Sequence, residues 1–428
     1  MNLYEAEYQS KKVTIEEALD SLKDGDVIGT SQCANEPTAF FDAIDHLRSS
    51  GKHFRMFAPM CFSPHRFLSD PIYQNTFDMD ITFLMGATRK GREQGLLSYY
   101  PGDLHNGASR WIEVNGCNVF IAAATPMDRH GYFMIPLCLI HEKTFLEAAD
   151  RVILQVNPNL PRIYGDTEVH IRDVDMIVEA ETPLPYLPVS TPNELEMTIG
   201  NYVASLVNDG DCIQLGIGGI PDAAALALKD KHDLGVHSEM ITNSMVELVK
   251  QGVITGRRKN FMPGKIVGTF AYGTQALYDL LEENPGVRML RGETVNNPQI
   301  VAQNDNFVSI NACLSVDLTG QVCSESIAPG SIPAPAASPT WPWAQPTPRA
   351  DGISLPPPPP STAAPSPPSL PSWSPAASSP SAGTSWIMWS RNTALHPSGA
   401  EASGRRCGIS SPWPIPISAL RFRPRPKS

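Results

Sequence analysis

Two stretches about 185 residues apart open in the same way. Asp24-Gly25-Asp26-Val27-Ile28-Gly29 leads to Pro37 and the helical TAFFDAI, and Asp209-Gly210-Asp211-Cys212-Ile213 leads to Pro221 and AAALAL. Each reads as a turn, a short apolar strand and a helix. Other apolar runs, Val119 to Ala123, Val152 to Val156 and Ile266 to Thr269, alternate with helical stretches such as Gln275 to Leu281. Thr14 and Glu17 have capping-box spacing, which predicts the start of a first helix. Regular strand and helix alternation implies parallel sheets covered by helices on both faces. The chain is therefore expected to be α/β with two similar halves, meeting in the proline-bearing segment Leu187 to Asn193.

The second copy carries the chemistry. Cys212 to Leu215 is a short strand, Gly216-Ile217-Gly218-Gly219 a turn, and Pro221 is expected to open the helix. Such a turn lets backbone N–H groups approach a phosphate or a developing oxyanion, with the helix dipole adding partial positive charge. It serves equally as a plain strand-to-helix connection. Some twenty residues on, after another apolar stretch, stands Glu239 in HSEM. A glutamate at a strand end facing a glycine turn can attack a thioester and carry the group covalently, although most glutamates are surface carboxylates.

GIGGIPDAAALAL, LGVHSEM, GTFAYGTQALYDLL, NPQIVAQNDNFVSINACLSVDLTGQVCSESI and, nearer the front, ATPMDRHGYF resemble, in order, the acetyl-CoA hydrolase/transferase family of class I CoA-transferases, with the 4-hydroxybutyrate and butyrate:acetate enzymes nearest. The resemblance runs from about Val13 to Ile327. It implies two similar CoA-transferase domains, 1–190 and 191–330, with mainly parallel sheets. It implies that Glu239 forms a glutamyl-CoA thioester and that Gly216, Ile217, Gly218, Gly219 and Ile220 contact CoA. Gln214 and Asn311, the latter in SINACLSVD, are candidates for contact with substrate or the CoA channel. His237 is read either as a core histidine or as a residue that orients Glu239 or binds the acyl carboxylate. Asp128 and His130 of MDRHGYF are read as structural or cleft-lining. The activity implied is transfer of CoA from an acyl-CoA to a short carboxylate such as acetate, butyrate or 4-hydroxybutyrate, with acetyl-CoA hydrolysis or an inactive fragment as the alternatives. Coenzyme A enters as a substrate, and no permanently bound cofactor is expected. A homo-oligomer is expected if the reading frame is intact.

Composition changes abruptly after residue 330. Residues 331–428 hold 23 of the 41 prolines and 6 of the 7 tryptophans, with only Asp351 and Glu401 acidic. The first 330 residues carry 25 Lys and Arg against 42 Asp and Glu, a charge of −17, whereas the remainder carries 8 against 2, or +6. Where the family continues with QYSGTGGQ, this chain reads SIPAPAAS. Loss of one nucleotide near Pro329 and Gly330 explains the difference. In the shifted frame Trp341-Pro342 forces Ala, Trp343-Ala344 forces Gly, Trp386-Ile387 forces Asp and Met388-Trp389 forces Val, and the family's VTEYG and AHPDFR become readable within WIMWSRNTA and SSPWPIPISA. The rival reading is a genuine proline-rich interaction tail; six tryptophans argue against it. On the frameshift reading the second domain is expected to be incomplete, the tail disordered, and activity impaired, since the resemblance places oxyanion-hole donors in the GTGGQ loop.

The acidic first part argues against a nucleic-acid partner. MNLYEAEYQSKK has no apolar signal stretch, and no run reaches the roughly 20 apolar residues of a membrane span. Eight cysteines show no CxxC pair and no metal-ligand spacing, so no metal site and reduced, cytoplasmic thiols are expected. A dinucleotide-binding fold fits poorly, because GIGGIP lacks the G-x-G-x-x-G spacing.

Overall fold

The structure is a computed structural model that describes residues 4–189, 191–313 and the short strand pieces 315–316, 322–323 and 387–388. Its first half is a seven-stranded sheet. The strands are β1 (Val27–Thr30), β2 (Phe54–Phe57), β3 (Phe77–Ile81), β4 (Leu97–Tyr99), β5 (Val119–Ala124), β7 (Arg151–Val156) and β9 (Met176–Glu179), with a small antiparallel pair β6 (Tyr132–Met134) and β8 (Glu168–His170) alongside. The order is β4-β3-β2-β1-β5-β7-β9, every neighbouring pair parallel. The second half has β10 (Cys212–Leu215), β11 (Gly235–His237), β13 (Ile266–Gly268), β15 (Val287–Met289) and β16 (Phe307–Ala312), in the order β15-β13-β11-β10-β16. Its five strands repeat the β4-β3-β2-β1-β5 order, so the two halves share one topology.

The repeated Asp-Gly-Asp is the physical origin of that likeness. In both copies the glycine is left-handed, Gly25 at φ 81° and Gly210 at φ 82°, a conformation that costs a residue with Cβ more than glycine. Gly25 N–H donates to His53 O and Gly210 N–H to His232 O, both at 2.8 Å. The first aspartate accepts the N–H of the same partner, Asp24 from His53 and Asp209 from His232. The second closes the turn, Asp26 accepting from Lys23 and Asp211 from Asn208. Each triplet thus saturates one tight turn and ties the entry of the central strand to the chain leading into its neighbour.

Local signals elsewhere hold within a residue or two. Thr14 and Glu17 make a reciprocal capping box on the helix Ile15–Asp20, and Asn193 with Glu196 makes another on Glu194–Leu206. The helix after the glycine turn runs Gly219–Ala227, two residues earlier than expected. Pro221 is accommodated in its first turn, where the missing N–H has no intrahelical acceptor to lose. Gly200 lets this helix pair with Glu194–Leu206, because a Cβ there would lie 2.6 Å from the Ala223 backbone.

The halves are not two separate cores. One cluster of buried side chains runs from Trp111, Phe120 and Phe145 in the first half to Ile213, Leu215 and Met245 in the second. The segment Leu137–Cys138–Leu139 crosses over to the strand pieces β12 (Met240–Ile241) and β14 (Phe270–Ala271): Cys138 bridges Phe270, Leu139 N–H donates to Thr269 O and Ala271 N–H to Leu137 O.

Beyond β5 the first sheet continues with two parallel strands. Among the described residues, the second continues beyond β16 only with the two-residue β19 (Ile387–Met388), antiparallel, pairing Met388 with Asn311 and Ile387 with Ala312. The described remainder is a two-residue antiparallel pair, β17 (Ser315–Val316) with β18 (Val322–Cys323). The second sheet is accordingly the shorter. The expectation of a disordered tail otherwise lies outside the described residues. Among those residues, no helix is long and apolar enough to cross a membrane.

Candidate active site

Glu239 sits just past the C-terminal end of β11, partly buried. Its position is fixed from several sides. β10 and β11 pair Cys212 with Gly235 and Ile213 with Val236, and continuing that register brings Gly216 level with Glu239. The Glu239 carbonyl accepts N–H groups from both Thr269 (3.0 Å) and Phe270 (3.1 Å). Ser238, fully buried, donates from its hydroxyl to Met240 O at 2.7 Å. The carboxylate is held by Asn296, whose Nδ2 donates to Oε2 at 2.8 Å. Asn296 has no solvent exposure and caps the short helix Gly292–Val295, so its amide is a fixed donor rather than a mobile one.

The glycine turn lies beside this carboxylate, on the neighbouring strand. Gly216 N–H donates to Ile310 O at 2.8 Å, holding the turn to β16. Gly218 has φ 115°, and no side chain caps the helix that follows. Ile217 is 57% exposed, so the turn itself faces solvent rather than the core. At its base Gln214, Ser309 and Asn311 form a closed polar cluster: Ser309 Oγ donates to Gln214 Oε1 at 2.6 Å, and Asn311 Nδ2 to the same oxygen at 3.0 Å. A Cβ on Gly216 would stand 2.7 Å from Asn311 Oδ1, so glycine is required for this approach.

His237 is placed elsewhere. It is fully buried, its Nε2 is 2.8 Å from Val295 O, and its ring packs edge-on to Phe261 and Phe307. Burial, then the nearby Lys259 ammonium, push its pKa down to about 3, so it is a neutral core histidine near pH 7. Of the two places left open by the sequence, His237 therefore occupies the core rather than the cleft beside Glu239. Asp128 and His130 line a separate cleft of about 770 Å³ between the Pro126–His130 loop, Pro158–Arg162 and the helix Gln275–Leu281; neither Glu239 nor the glycine turn lines it. Asp128 Oδ1 there accepts the N–H groups of His130 and Tyr132, a turn-closing role.

The first half supplies the opposite wall. Cys33, Cys138 and Ile140 pack with Met240 and Phe270, the residues flanking Glu239 and its carbonyl partner, in a small apolar cluster. Phe62 stacks on Tyr272 with ring centroids 4.0 Å apart, closing the two halves over this region. Glu142 lies fully buried behind it, accepting N–H bonds from Gln32 (3.1 Å) and His141 (2.9 Å), and burial raises its pKa to about 7. The Cys33 thiol is pushed up by burial and by the charges of Glu142, Glu36 and Glu239. None of these residues carries a local sequence signal. Asn296 stands one position before the NPQIV motif, and its role depends on a chain reversal that sequence spacing does not reveal.

The acetyl-CoA hydrolase/transferase N-terminal domain family matches residues 1–188 and its C-terminal domain counterpart matches residues 273–335. The chain is 37% identical to 4-hydroxybutyrate coenzyme A transferase of Clostridium kluyveri over 76% of each sequence, and 36% identical to a succinyl-CoA:cyclohexane-1-carboxylate CoA transferase of Geobacter metallireducens over 76% of this chain and 74% of that one. Among solved structures it is similar to RipA from Yersinia pestis (TM-score 0.69, 33% identity, 75% of this chain and 77% of that one) and to a 4-hydroxybutyrate CoA-transferase from Porphyromonas gingivalis (TM-score 0.65, 29% identity, 74% and 77%). Two domain matches in order, and relatives aligned over three quarters of both lengths, make this chain a member of the acetyl-CoA hydrolase/transferase family and, by class, a CoA-transferase.

Proposed function

We propose that this protein moves CoA from an acyl-CoA to a short-chain carboxylate, acetate, butyrate or 4-hydroxybutyrate, through a thioester on Glu239. The observation that carries the reading is a carboxylate at a strand end, level with an outward-facing glycine turn and oriented by a buried amide. With Oε2 held by Asn296, Oε1 attacks the thioester carbonyl. The C–S bond breaks, CoA leaves as thiolate, and an acyl–glutamyl anhydride remains. The thiolate then attacks the glutamyl carbonyl, releasing the first carboxylate and leaving glutamyl-CoA. The acceptor carboxylate repeats both steps in reverse order, and no proton or water is consumed overall. Oε2 becomes the carbonyl oxygen of glutamyl-CoA, so the Asn296 donor that orients the free carboxylate also faces the oxyanion formed when that carbonyl is attacked.

Asn296→Ala is expected to lower kcat by about 10²-fold with little change in KM for acyl-CoA, the loss typical of one preorganised donor. Unchanged kcat in a folded variant removes Asn296 from the mechanism. Gly216, Ile217, Gly218, Gly219 and Ile220 contact CoA, with Gly216 N–H tying the turn to Ile310 O and the backbone N–H groups after it turned to the ligand, and Gln214 and Asn311 hold the floor of that site. Gly218→Val meets no neighbouring atom but must adopt φ 115°, at a strain of about 1–3 kcal/mol. Its predicted effect is a raised KM for acyl-CoA at near-normal thermal stability, and normal KM reassigns the turn to a purely structural role.

The domains divide near residue 190, a reading supported by the end of the N-terminal match at 188 and by the capped helix that starts at Glu194. The reading frame shifts near Pro329 and Gly330. Support comes from the break in composition after residue 330, from the C-terminal match that stops at 335, and from a second sheet that, among the described residues, extends beyond β16 only by an antiparallel dipeptide. The chain as written is consequently impaired. With the frame intact, the protein is a cytoplasmic homo-oligomer. Release of free CoA from acetyl-CoA without any acceptor, at the rate seen with one, would make it a hydrolase instead.

A further inference from the structure

We propose that Glu36, Cys61 and His65 form a binding site for a divalent transition metal of the zinc type, independent of the Glu239 chemistry. The three side chains are 4%, 7% and 7% exposed, and their donor atoms, a carboxylate oxygen, Sγ and an imidazole nitrogen, all lie within 4.8 Å of one another. They reach this spot from two loops. Glu36 follows β1 and its short helical turn, and Cys61 and His65 follow β2, the adjacent parallel strand. The strand order reverses at β1, which has β2 on one side and β5 on the other, and the carboxyl ends of strands at such a reversal are where open α/β sheets hold ligands.

The donor set suits zinc. Thiolate and imidazole favour zinc over magnesium or calcium, and one thiolate with one carboxylate neutralises a divalent ion, so the loaded site carries no net charge into the interior. Tetrahedral zinc, with bonds of about 2.0–2.3 Å, separates its donors by roughly 3.3–3.8 Å. Glu36 Oε2 and His65 Nε2 are 2.9 Å apart and need to part only slightly. The outer partners are in place as well. Glu36 Oε1 accepts the N–H groups of Phe62 (2.5 Å) and Ser63 (3.3 Å), which aims Oε2 at His65. Asp42 lies 3.8 Å from His65 Nδ1, the far side of the ring, as the outer carboxylate of a carboxylate–histidine–metal arrangement does. Phe41 packs edge-on to the same ring at 5.0 Å and fixes its plane. Burial, then the Glu36 charge, hold the Cys61 thiol protonated without metal, so loading releases its proton. Three protein donors leave one position for water or another small ligand.

The test is cobalt titration of the chelator-treated full chain. One equivalent should produce a thiolate-to-cobalt charge-transfer band that zinc then displaces. Cys61→Ser should abolish the band, Asp42→Asn should weaken the metal affinity about 10- to 100-fold, and Cys33→Ser, outside the donor set, should leave both unchanged. X-ray absorption at the zinc edge of the unsubstituted protein, which does not depend on any variant folding, should show one sulfur in the shell. No uptake, a shell without sulfur, or a band undiminished in Cys61→Ser would reduce the trio to a hydrogen-bonded Glu–His pair beside a buried thiol and overturn the proposal. None of these outcomes depends on Glu239.

Discussion

Glu239→Ala in a frame-restored protein is expected to lose CoA-transferase activity by roughly 10⁴-fold or more, the scale seen when a covalent nucleophile is removed. Lost anchoring of the strand end is not the cause, because the Thr269 and Phe270 N–H groups bind the backbone carbonyl of Glu239, which alanine keeps. Fold and thermal stability should therefore be close to those of the parent. Glu239→Gln should be similarly inactive while preserving the Asn296 contact, since an amide oxygen still accepts from Nδ2 but is a poor nucleophile. Mass analysis after incubation with acyl-CoA and borohydride should locate reduction at residue 239 in the parent and nowhere in either variant. Full transferase activity in Glu239→Ala would sink both the assignment and the ping-pong mechanism.

Reinstating one nucleotide near Pro329 is expected to convert an aggregating, weakly active product into a soluble oligomer. The physical reason lies at β16. In the first half the equivalent strand β5 is followed by the parallel β7 and β9, whereas among the described residues the sheet extends beyond β16 only by Ile387–Met388. A long, largely apolar strand with an under-covered edge is a template for association with other chains. The GTGGQ donors that the family places near the thioester are also missing from the chain as written, at a cost of about 10²- to 10³-fold in rate for each donor lost. Expressing both versions and comparing solubility and CoA transfer from acetyl-CoA or butyryl-CoA decides the matter. Equal solubility and equal activity would make residues 331–428 a functional segment and end the frameshift reading.

The strands, the glycine turn and the duplicated halves were legible in the sequence because each is governed by short-range chemistry. The two Asp-Gly-Asp turns close on their own side chains, and the strand Cys212–Leu215 and the helix Gln275–Leu281 stand where their apolar patterns put them. Glu239 became a candidate through its distance from the turn together with the family resemblance, and the structure sets it level with that turn. The helix start at Gly219 was misjudged because proline tolerance extends over a whole first turn. His237 could not be assigned from sequence, since a histidine two residues before Glu239 can face the cleft or the core. Phe261, Phe307 and the Val295 carbonyl put it in the core.

What the tertiary structure alone decided are the contacts between remote segments. Asn296 meets Glu239 across 57 positions, Leu137–Leu139 crosses between the halves to border the site, and Glu36 meets Cys61 and His65 through two neighbouring strands. No spacing rule announced these contacts, and the cysteine pattern had argued against any metal site. Sequence records what a residue does to its near neighbours along the chain, whereas donors brought together by the pairing of parallel strands are separated by whole crossover connections. Only the register of the folded sheets makes them neighbours.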